Sequence, residues 1–224
     1  MQRRPSQGSK KKDKRYFPLC LDLDGKKVFV IGGGKVAERK VIPLLECGAD
    51  VTVISPSITE KLRNLFKKGK LRYLPKAYKR GDLKGAFLVI SATGEKGINM
   101  EVSEEAESRG CLCNVVDDPD ASNFIVPSVV KRGRLLISIS TSGVSPALSK
   151  KIRKELEKRY GREYSLFLNL MEGIRKRLLK EMSSERKRKK IFHSLANSDL
   201  IRVIKKSGIL AARRRSESII HKYL

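Results

Sequence analysis

The sequence has no tryptophan, only 6% aromatic residues and only four cysteines in 224 residues. So few aromatic side chains argue against a platform on which nucleic-acid bases stack. Cys20, Cys47, Cys111 and Cys113 are too few and too scattered for a disulfide framework. The alternation in CLCNVV predicts that Cys111 and Cys113 are buried thiols on one face of a strand.

Long apolar runs and metal-ligand patterns are missing as well. No apolar stretch approaches the roughly 18 residues that indicate a membrane span. The two histidines have no partner at helical spacing, so we predict no protein-held metal site. Residues 1–15 are basic with no apolar segment behind them, which predicts a disordered basic tail rather than a secretory signal. We therefore expect a cytoplasmic protein that does not bind membranes.

Acidic residues are scarce beside basic ones. The chain has 24 Asp and Glu against 50 Lys and Arg, a formal net charge of +26. Much of the excess lies in the N-terminal tail and beyond residue 150. Three explanations for the positive charge remain open: binding of nucleic acid, attraction of a polyanionic small substrate, or a basic surface composition that is general in the source organism.

Strand and helix patterns alternate from residue 26 to residue 117, which predicts an α/β fold with a Rossmann-like, doubly wound parallel sheet. The predicted strands are 26–31, 49–55, 71–78, 86–93 and 111–117, and the helices between them are 36–48, 57–69 and 98–110. After Pro119 the pattern changes to two strands, 123–130 and 135–141, joined by a basic turn. The chain thereby divides into the tail 1–15, a Rossmann domain 16–126, a segment 127–160 and a basic helical C-terminal domain 161–224.

A glycine-rich motif follows the first strand and opens the first helix. It fits G-x-G-x-x-A and comprises Gly32, Gly33, Gly34, Lys35, Val36 and Ala37. Gly32 permits a tight turn, Gly34 lets the backbone approach a pyrophosphate, and Ala37 allows close helix packing. An ordinary strand-to-helix turn is the alternative, but the helix N-terminus behind the glycines favours dinucleotide binding.

The second strand ends in VISPS, without the acidic residue that binds the ribose hydroxyls of NAD in many such domains. Ser55, Pro56 and Ser57 occupy that corner instead. No Arg follows at once to bind a 2′-phosphate either. The choice between NAD and NADP therefore stays open, and the missing Arg favours NAD.

Polar residues follow two further strands. Asp117 and Asp118 come after the fifth strand, at the sheet edge where such folds bind ligands. A carboxylate there acts as a general base or holds a cationic atom, or else it only bonds the backbone of the Asp-Asp-Pro-Asp turn. Further along, the run Ser140–Gly143 precedes a helix for which Ser145 is the predicted cap, and its hydroxyls and N–H groups are suited to a carboxylate.

Five segments in order resemble the precorrin-2 dehydrogenases, including the dehydrogenase and ferrochelatase module of sirohaem synthase, and cover roughly residues 16–157. They are FPLCLDLDGKKVFVIGGGKVAERKV, GADVTVISP, VISATGEKGIN, CNVVDDPDASNFIVPSVVKRGRLLISIST and GVSPALSKKIRKELE. The resemblance implies NAD-dependent oxidation of precorrin-2 to sirohydrochlorin in sirohaem and related tetrapyrrole synthesis. It also implies a homodimer formed through residues 127–160. Some members insert ferrous iron into sirohydrochlorin, and no residue here decides that point.

The resemblance also assigns roles to residues. Asp117 is expected to be the catalytic residue, and Thr93 lies beside the cofactor at the end of the fourth strand. Lys35 and Val36 match cofactor-loop positions, and Pro56 and Ser57 match the adenosine side. Thr141 falls where the family has a small hydroxyl or glycine near the substrate cleft. From the residues themselves we expect substrate contacts from Asn114, Ser140, Ser142 and Gly143 as well. Precorrin-2 carries eight carboxylates, which accounts for part of the positive charge.

Two rival hypotheses remain. One is a nucleotide-sensing Rossmann protein whose basic helical tail binds nucleic acid, which predicts salt-sensitive binding. That hypothesis leaves the Asp117 and Ser140–Gly143 segments without a purpose, so we do not expect nucleic acid as a partner. The other is an NAD-dependent oxidoreductase that acts on a different substrate.

Overall fold

The computed structural model describes residues 14–223, and the chain divides into two compact units between Val126 and Pro127. Most of the predicted basic tail, residues 1–13, lies outside the described residues.

The first unit is built on a five-stranded sheet in which every pairing is parallel. The strands are β1 (Lys27–Ile31), β2 (Asp50–Ile54), β3 (Arg72–Leu74), β4 (Leu88–Ser91) and β5 (Leu112–Val115), in the order β3-β2-β1-β4-β5. The helices are α1 (Lys35–Glu46), α2 (Glu60–Lys67) and α3 (Lys96–Ser108). This order confirms the predicted Rossmann-like, doubly wound sheet.

Helices cover both faces of this sheet, so its central strands are apolar on both sides. Val30 of β1, Val53 of β2 and Val89 of β4 are fully buried. One face packs against α1 and α2, and the other packs against α3. Cys111 and Cys113 are buried free thiols in the second cluster, as predicted.

The strands end at a common level. Ile31 of β1 pairs with Ile54 of β2 and with Ser91 of β4, and Ser91 pairs in turn with Val115 of β5. The strand order reverses between β1 and β4, which is the point where open α/β sheets bind ligands. The segments that follow these four residues therefore emerge side by side along one edge of the sheet.

The third strand is shorter than predicted. It ends at Leu74 rather than at residue 78, because Pro75 has no N–H to donate to a neighbouring strand. The chain then turns away, and the Tyr78 hydroxyl donates a hydrogen bond of 2.5 Å to Glu105 on α3. Tyr78 is thereby buried against the helix and not in the sheet.

The strand predicted to begin at residue 123 also begins later, at Ser128. Asn123 and Phe124 are tied to the end of the first unit instead: the Asn123 amide donates to the Cys113 carbonyl, and the Asn114 side chain donates to the Phe124 carbonyl. Because these residues are held beside β5, they do not join the later hairpin. The fifth strand likewise spans only Leu112–Val115 instead of 111–117.

The second unit combines a hairpin with four helices. Strands β6 (Ser128–Arg132) and β7 (Leu135–Ile139) pair antiparallel and are followed by α4 (Pro146–Arg159), α5 (Arg162–Glu181), α6 (Glu185–Ala196) and α7 (Leu200–Ile220). A turn of 3₁₀ helix, His221–Tyr223, ends the described chain. Apolar residues of α5, α6 and α7 form the core, among them Phe167, Ile174, Leu178, Ile191, Leu195, Leu200 and Ile204. Gly208, with a φ of +80°, breaks the helical path inside α7.

None of the helices in residues 14–223 has both the length and the apolar character needed to cross a membrane.

Among the described residues of the first unit, Glu105 on α3 has the most deeply buried acidic side chain, 1% exposed. Burial alone would raise its pKa. Hydrogen bonds from the Tyr78 hydroxyl, the Gly81 amide and the Arg109 guanidinium, at 2.5, 2.8 and 2.6 Å, outweigh burial and lower its pKa below the ordinary value. The carboxylate therefore fixes the segment between β3 and β4 to α3.

We expect Glu105→Gln to lower the free energy of unfolding at neutral pH by about 1–3 kcal/mol, because it removes the charge that these donors bind. The Glu105 contribution is present above the ordinary carboxyl pKa of about 4.3 and is lost as pH falls through the lowered folded value. The difference between wild type and variant should therefore shrink below about pH 4 in urea titrations. Glu107→Gln, on the exposed side of α3, should change stability by less than about 0.5 kcal/mol. A Glu105→Gln deficit that persists unchanged in acid would contradict this account.

Candidate active site

The first two glycines of the motif are required by their surroundings. Gly32 has a φ of +110°, and a Cβ there would lie 2.5 Å from the Ala92 carbonyl oxygen after β4. A Cβ on Gly33 would lie 1.9 Å from the Ser57 carbonyl oxygen. The loop is thus packed between the ends of β4 and β2, and no larger residue fits at either position.

Gly34 is different, because a Cβ there would meet nothing within 4 Å. It is the N-cap residue of α1, has no side chain with which to cap the helix, and leaves open space before the first N–H groups. Ala37, one turn along, is fully buried against the sheet. A helix N-terminus with free space in front of it suits a pyrophosphate, so the loop fits a dinucleotide. Lys35 lies exposed and Val36 half-buried beside that space.

The corner after β2 holds Ser55, Pro56 and Ser57, as the sequence indicates. Ser55 is buried, and the Pro56 carbonyl accepts a hydrogen bond of 3.2 Å from the Tyr73 hydroxyl. The Thr59 amide donates to the Gly33 carbonyl at 3.0 Å, which joins this corner to the glycine loop. Thr59 is the N-cap of α2, and its hydroxyl accepts a hydrogen bond from the Leu62 amide.

At the end of β4, Thr93 is held by a residue that the sequence did not indicate. The Thr93 and Ser91 hydroxyls donate to the Asn99 side-chain oxygen at 2.7 and 2.6 Å, and the Asn99 side-chain nitrogen donates to the Thr93 carbonyl. Asn99 lies in the first turn of α3. These hydrogen bonds among Ser91, Thr93 and Asn99 fix Thr93 beside the glycine loop.

Asp117 lies two residues beyond β5, exposed, with a φ of +62°. A left-handed conformation is uncommon for any residue except Gly, although Asp and Asn tolerate it best. The alternative to a catalytic role was that the carboxylate bonds the backbone of the turn. The neighbouring Asp118 does this instead: its carboxylate accepts from the Asp120 and Ala121 amides at 3.1 Å each. The Asp117 side chain is not needed for the turn.

Several contacts fix the turn that carries Asp117. The Ser122 hydroxyl donates to the Asp118 carbonyl at 2.7 Å and accepts from the Val115 amide at 2.9 Å. The Lys14 ammonium donates to three carbonyls, those of Pro119, Asp120 and Ser122, at 2.6–3.0 Å. Asn114, a predicted substrate contact, is 8% exposed and donates to the Phe124 carbonyl at 3.1 Å. Its side-chain nitrogen thus supports this loop.

Lys40 on α1 interacts electrostatically with Asp117. Burial lowers the pKa of Lys40 on α1, while the negative charge of Asp117 acts in the opposite direction and raises it. The half-buried Lys40 ammonium is therefore within electrostatic range of the predicted catalytic carboxylate. Lys40 was missed at the sequence level, because helical spacing alone does not show which end of the sheet it faces.

The hydroxyl run of the second unit forms a tight turn before α4. The Thr141 hydroxyl accepts from the Ser145 amide at 3.0 Å, and the Ser142 amide donates to the Ser140 hydroxyl at 3.0 Å. Ser142 and Gly143 have φ values of +53° and +87°. Ser145 caps α4 as predicted and Pro146 begins it. These four predicted substrate residues lie in the second unit, whereas the glycine loop, Thr93 and Asp117 lie in the first.

Comparison with known proteins identifies the family. The chain is 35% identical over 220 residues to the precorrin-2 dehydrogenase of Methanosarcina barkeri (strain Fusaro), which covers 95% of this chain and 97% of that protein. The chain belongs to the precorrin-2 dehydrogenase family. A solved structure described as SirC, precorrin-2 dehydrogenase, agrees with this: it has 28% identity and a TM-score of 0.72, over 93% of this chain and all of that one.

Two family models match successive parts of the chain. Residues 19–128 match a model described as NAD(P)-binding, and residues 132–159 match one described as the central part of a sirohaem biosynthesis protein. The siroheme synthase 1 of Aeromonas salmonicida is 35% identical over 184 residues, 82% of this chain. The chain spans only 39% of the length of that relative.

The NAD(P)-binding match contains the glycine loop, the corner after β2, Thr93 and Asp117. All of them follow strands that end at one level of the sheet. Within residues 14–223, no three His, Cys, Asp or Glu side chains converge as metal ligands would. The first unit of this precorrin-2 dehydrogenase family member is therefore a dinucleotide-binding domain with a carboxylate at its ligand-binding edge.

Proposed function

We propose that the protein oxidises precorrin-2 to sirohydrochlorin with NAD as the hydride acceptor, as a step of sirohaem and related tetrapyrrole synthesis in the cytoplasm. One observation carries the proposal. The common level of Ile54, Ile31, Ser91 and Val115 directs the glycine loop, Thr93 and Asp117 to the same edge of the sheet. A dinucleotide held by the loop would extend along that edge towards Asp117.

The candidate-site residues of the first unit have distinct tasks in this reaction. The N–H groups at the start of α1 would hold the pyrophosphate in the space before Gly34. Asn99 holds Thr93 at the end of β4. NAD, when bound, would accept the hydride that leaves a carbon of the macrocycle as its C–H bond breaks. Asp117 takes the proton that must leave the macrocycle in the same oxidation. One hydride and one proton are thereby removed.

The charge of the protein suits this substrate. Precorrin-2 carries eight carboxylates and the protein has a net charge of +26. The attraction between them raises the rate of encounter and makes that rate sensitive to salt. We assign the hydroxyls and amides of Ser140–Gly143 to one of these carboxylates, because the turn presents two consecutive residues of positive φ before the start of α4. The very basic segment 161–224 would add to the attraction.

The test is an anaerobic absorbance assay with enzymatically made precorrin-2. Addition of NAD should convert its spectrum to that of sirohydrochlorin, and NADP should do so far more slowly. Ferrous iron is then added, and a change faster than in the enzyme-free control would add metal insertion to the proposal. If a folded protein that binds NAD leaves precorrin-2 unchanged, the proposal is wrong. Salt-sensitive binding to DNA or RNA would then favour the nucleic-acid hypothesis.

We also propose that residues 127–160 form a homodimer interface. Val129, Lys131, Leu136 and Ser138 share the outer face of the β6–β7 hairpin and are all exposed, whereas Val130 on the inner face is fully buried. Leu136 is 51% exposed. A two-stranded sheet is marginal by itself, so a partner that covers this face would stabilise it.

We expect Leu136→Asp to convert the dimer to a monomer, because a carboxylate on that face would lose its water on association. Light scattering coupled to gel filtration measures the mass of each variant. Leu210→Asp is the matched control, since Leu210 on α7 is 69% exposed and lies outside the hairpin. A wild-type monomer, or a Leu136→Asp dimer as stable as wild type, would overturn this assignment.

A further inference from the structure

We propose that Glu38 selects NAD over NADP by taking the place of the acidic residue that the end of β2 lacks. This inference rests on the proposed function only in that the glycine loop binds a dinucleotide. In many Rossmann domains a carboxylate at the end of the second strand accepts hydrogen bonds from the adenosine ribose and excludes a 2′-phosphate. Here the end of β2 is followed by Ser55, Pro56 and Ser57, which carry no charge.

Glu38 reaches this corner from the first turn of α1. The Thr59 hydroxyl donates to Glu38 Oε2 at 2.7 Å, and the Lys61 ammonium lies 3.7 Å from Oε1. Thr59 is also bonded through its amide to the Gly33 carbonyl, so the same residue fixes the glycine loop and the carboxylate. The Glu38 side chain is only 21% exposed, which means that it is held in place instead of moving freely in water.

A cavity of about 660 Å³ lies directly beside this carboxylate. It is formed by the starts of α1 and α2, and its lining residues are Lys35, Glu38, Arg39, Thr59, Glu60 and Lys61. It adjoins the glycine loop on the side of the β2 corner, where the ribose nearest the adenine would lie once the pyrophosphate is at the start of α1. The lining thus contains three cations and two carboxylates around one space.

The balance of charge in this lining decides which cofactor binds. A ribose offers two hydroxyl donors to a carboxylate, so Glu38 favours NAD. A 2′-phosphate carries up to two negative charges and would be repelled by Glu38, although Lys35, Arg39 and Lys61 would attract it. Because Glu38 is the carboxylate fixed at the inner corner, its repulsion is not relieved by a change of rotamer. Removing only its charge would leave the three cations opposed by Glu60 alone.

The test measures cofactor binding directly, by calorimetric titration of the full-length protein with NAD and NADP. Glu38→Gln keeps the length of the side chain and an oxygen for Thr59. We expect NADP to bind at least about tenfold tighter than in wild type and NAD several-fold weaker. Adding Lys61→Gln to that variant should reverse part of the gain in NADP affinity. Glu60→Gln is the matched control, since it removes one charge from the same lining without touching Thr59, and we expect it to leave the preference unchanged.

The outcomes separate this inference from the proposed function. A wild-type protein that binds neither dinucleotide would defeat both. If wild type prefers NAD and Glu38→Gln, still folded by circular dichroism, keeps the same preference, only the role of Glu38 is wrong. A gain in NADP affinity that is equal in Glu38→Gln and Glu60→Gln would show that the total charge of the cavity sets the preference, which also overturns the inference. If Glu38→Gln does not fold, Glu38→Asp substitutes for it: the shorter side chain withdraws the carboxylate, so NAD should bind more weakly.

Discussion

Asp117→Ala is expected to lower kcat for precorrin-2 oxidation by about 10³-fold and to leave the Kd for NAD within about twofold of wild type. A positioned general base contributes roughly 10²–10⁴-fold to a rate. The Asp118 carboxylate accepts the hydrogen bonds of the turn, which leaves the Asp117 carboxylate available for this role. NAD binding should persist because the glycine loop follows β1 and does not depend on this side chain. Stopped-flow absorbance gives kcat, and calorimetry gives the Kd.

The adjacent Asp118 provides the control for this variant. Asp118→Asn removes the same charge one residue away, but its side-chain oxygen still accepts from the Asp120 and Ala121 amides. Its kcat should stay within a few-fold of wild type. Asp117→Ala with wild-type turnover would show that another group takes the proton. Equal losses in the two variants would mean that net charge near β5 matters and not the position of Asp117.

Gly34→Leu is expected to weaken NAD binding by about 100-fold, roughly 2.7 kcal/mol, in a protein that folds normally. Gly34 has a φ of −80° and a ψ of −174°, a backbone conformation that leucine adopts without strain. A Cβ there meets nothing within 4 Å, so the new side chain occupies the open space before α1 and covers its N–H groups. The loss is therefore one of cofactor binding, measured by calorimetry, and not of stability.

Variants at two further glycines are controls for this result. Gly173→Leu, on an exposed position of α5 where a Cβ also meets nothing within 4 Å, should bind NAD as wild type does. Gly33→Ala should instead destabilise the fold, since its Cβ would lie 1.9 Å from the Ser57 carbonyl oxygen. Unchanged NAD affinity in Gly34→Leu would show that the pyrophosphate does not bind at the start of α1.

The parallel sheet could be predicted because its local signals agree with one another. β1 and β4 are short apolar runs followed by helices, and each has both faces buried. The first and last residues of a strand were less predictable where a single tertiary contact determines them. Pro75 and the Tyr78–Glu105 hydrogen bond end β3 early, and the contacts of Asn123 and Phe124 with β5 delay the start of β6.

The same distinction holds in the candidate site. Residues that lie within two positions of a strand end, such as Gly32, Thr93 and Asp117, could be placed at the ligand edge from strand order alone. Side chains that reach this edge from a helix could not, because helical spacing does not show which end of the sheet they approach. Glu38, Lys40 and Asn99 are of this kind. The absence of an acidic residue after β2 was nevertheless visible in the sequence and marked the place that Glu38 fills.

The central claim is that this chain transfers a hydride from precorrin-2 to NAD. The most direct measurement follows NADH and sirohydrochlorin together, by absorbance, in one anaerobic reaction with excess NAD. We expect the two products to appear at the same rate and in equal amounts, and both to be lost in the Asp117→Ala protein. Sirohydrochlorin formed without NADH, or no product from a protein that still binds NAD, would contradict the account.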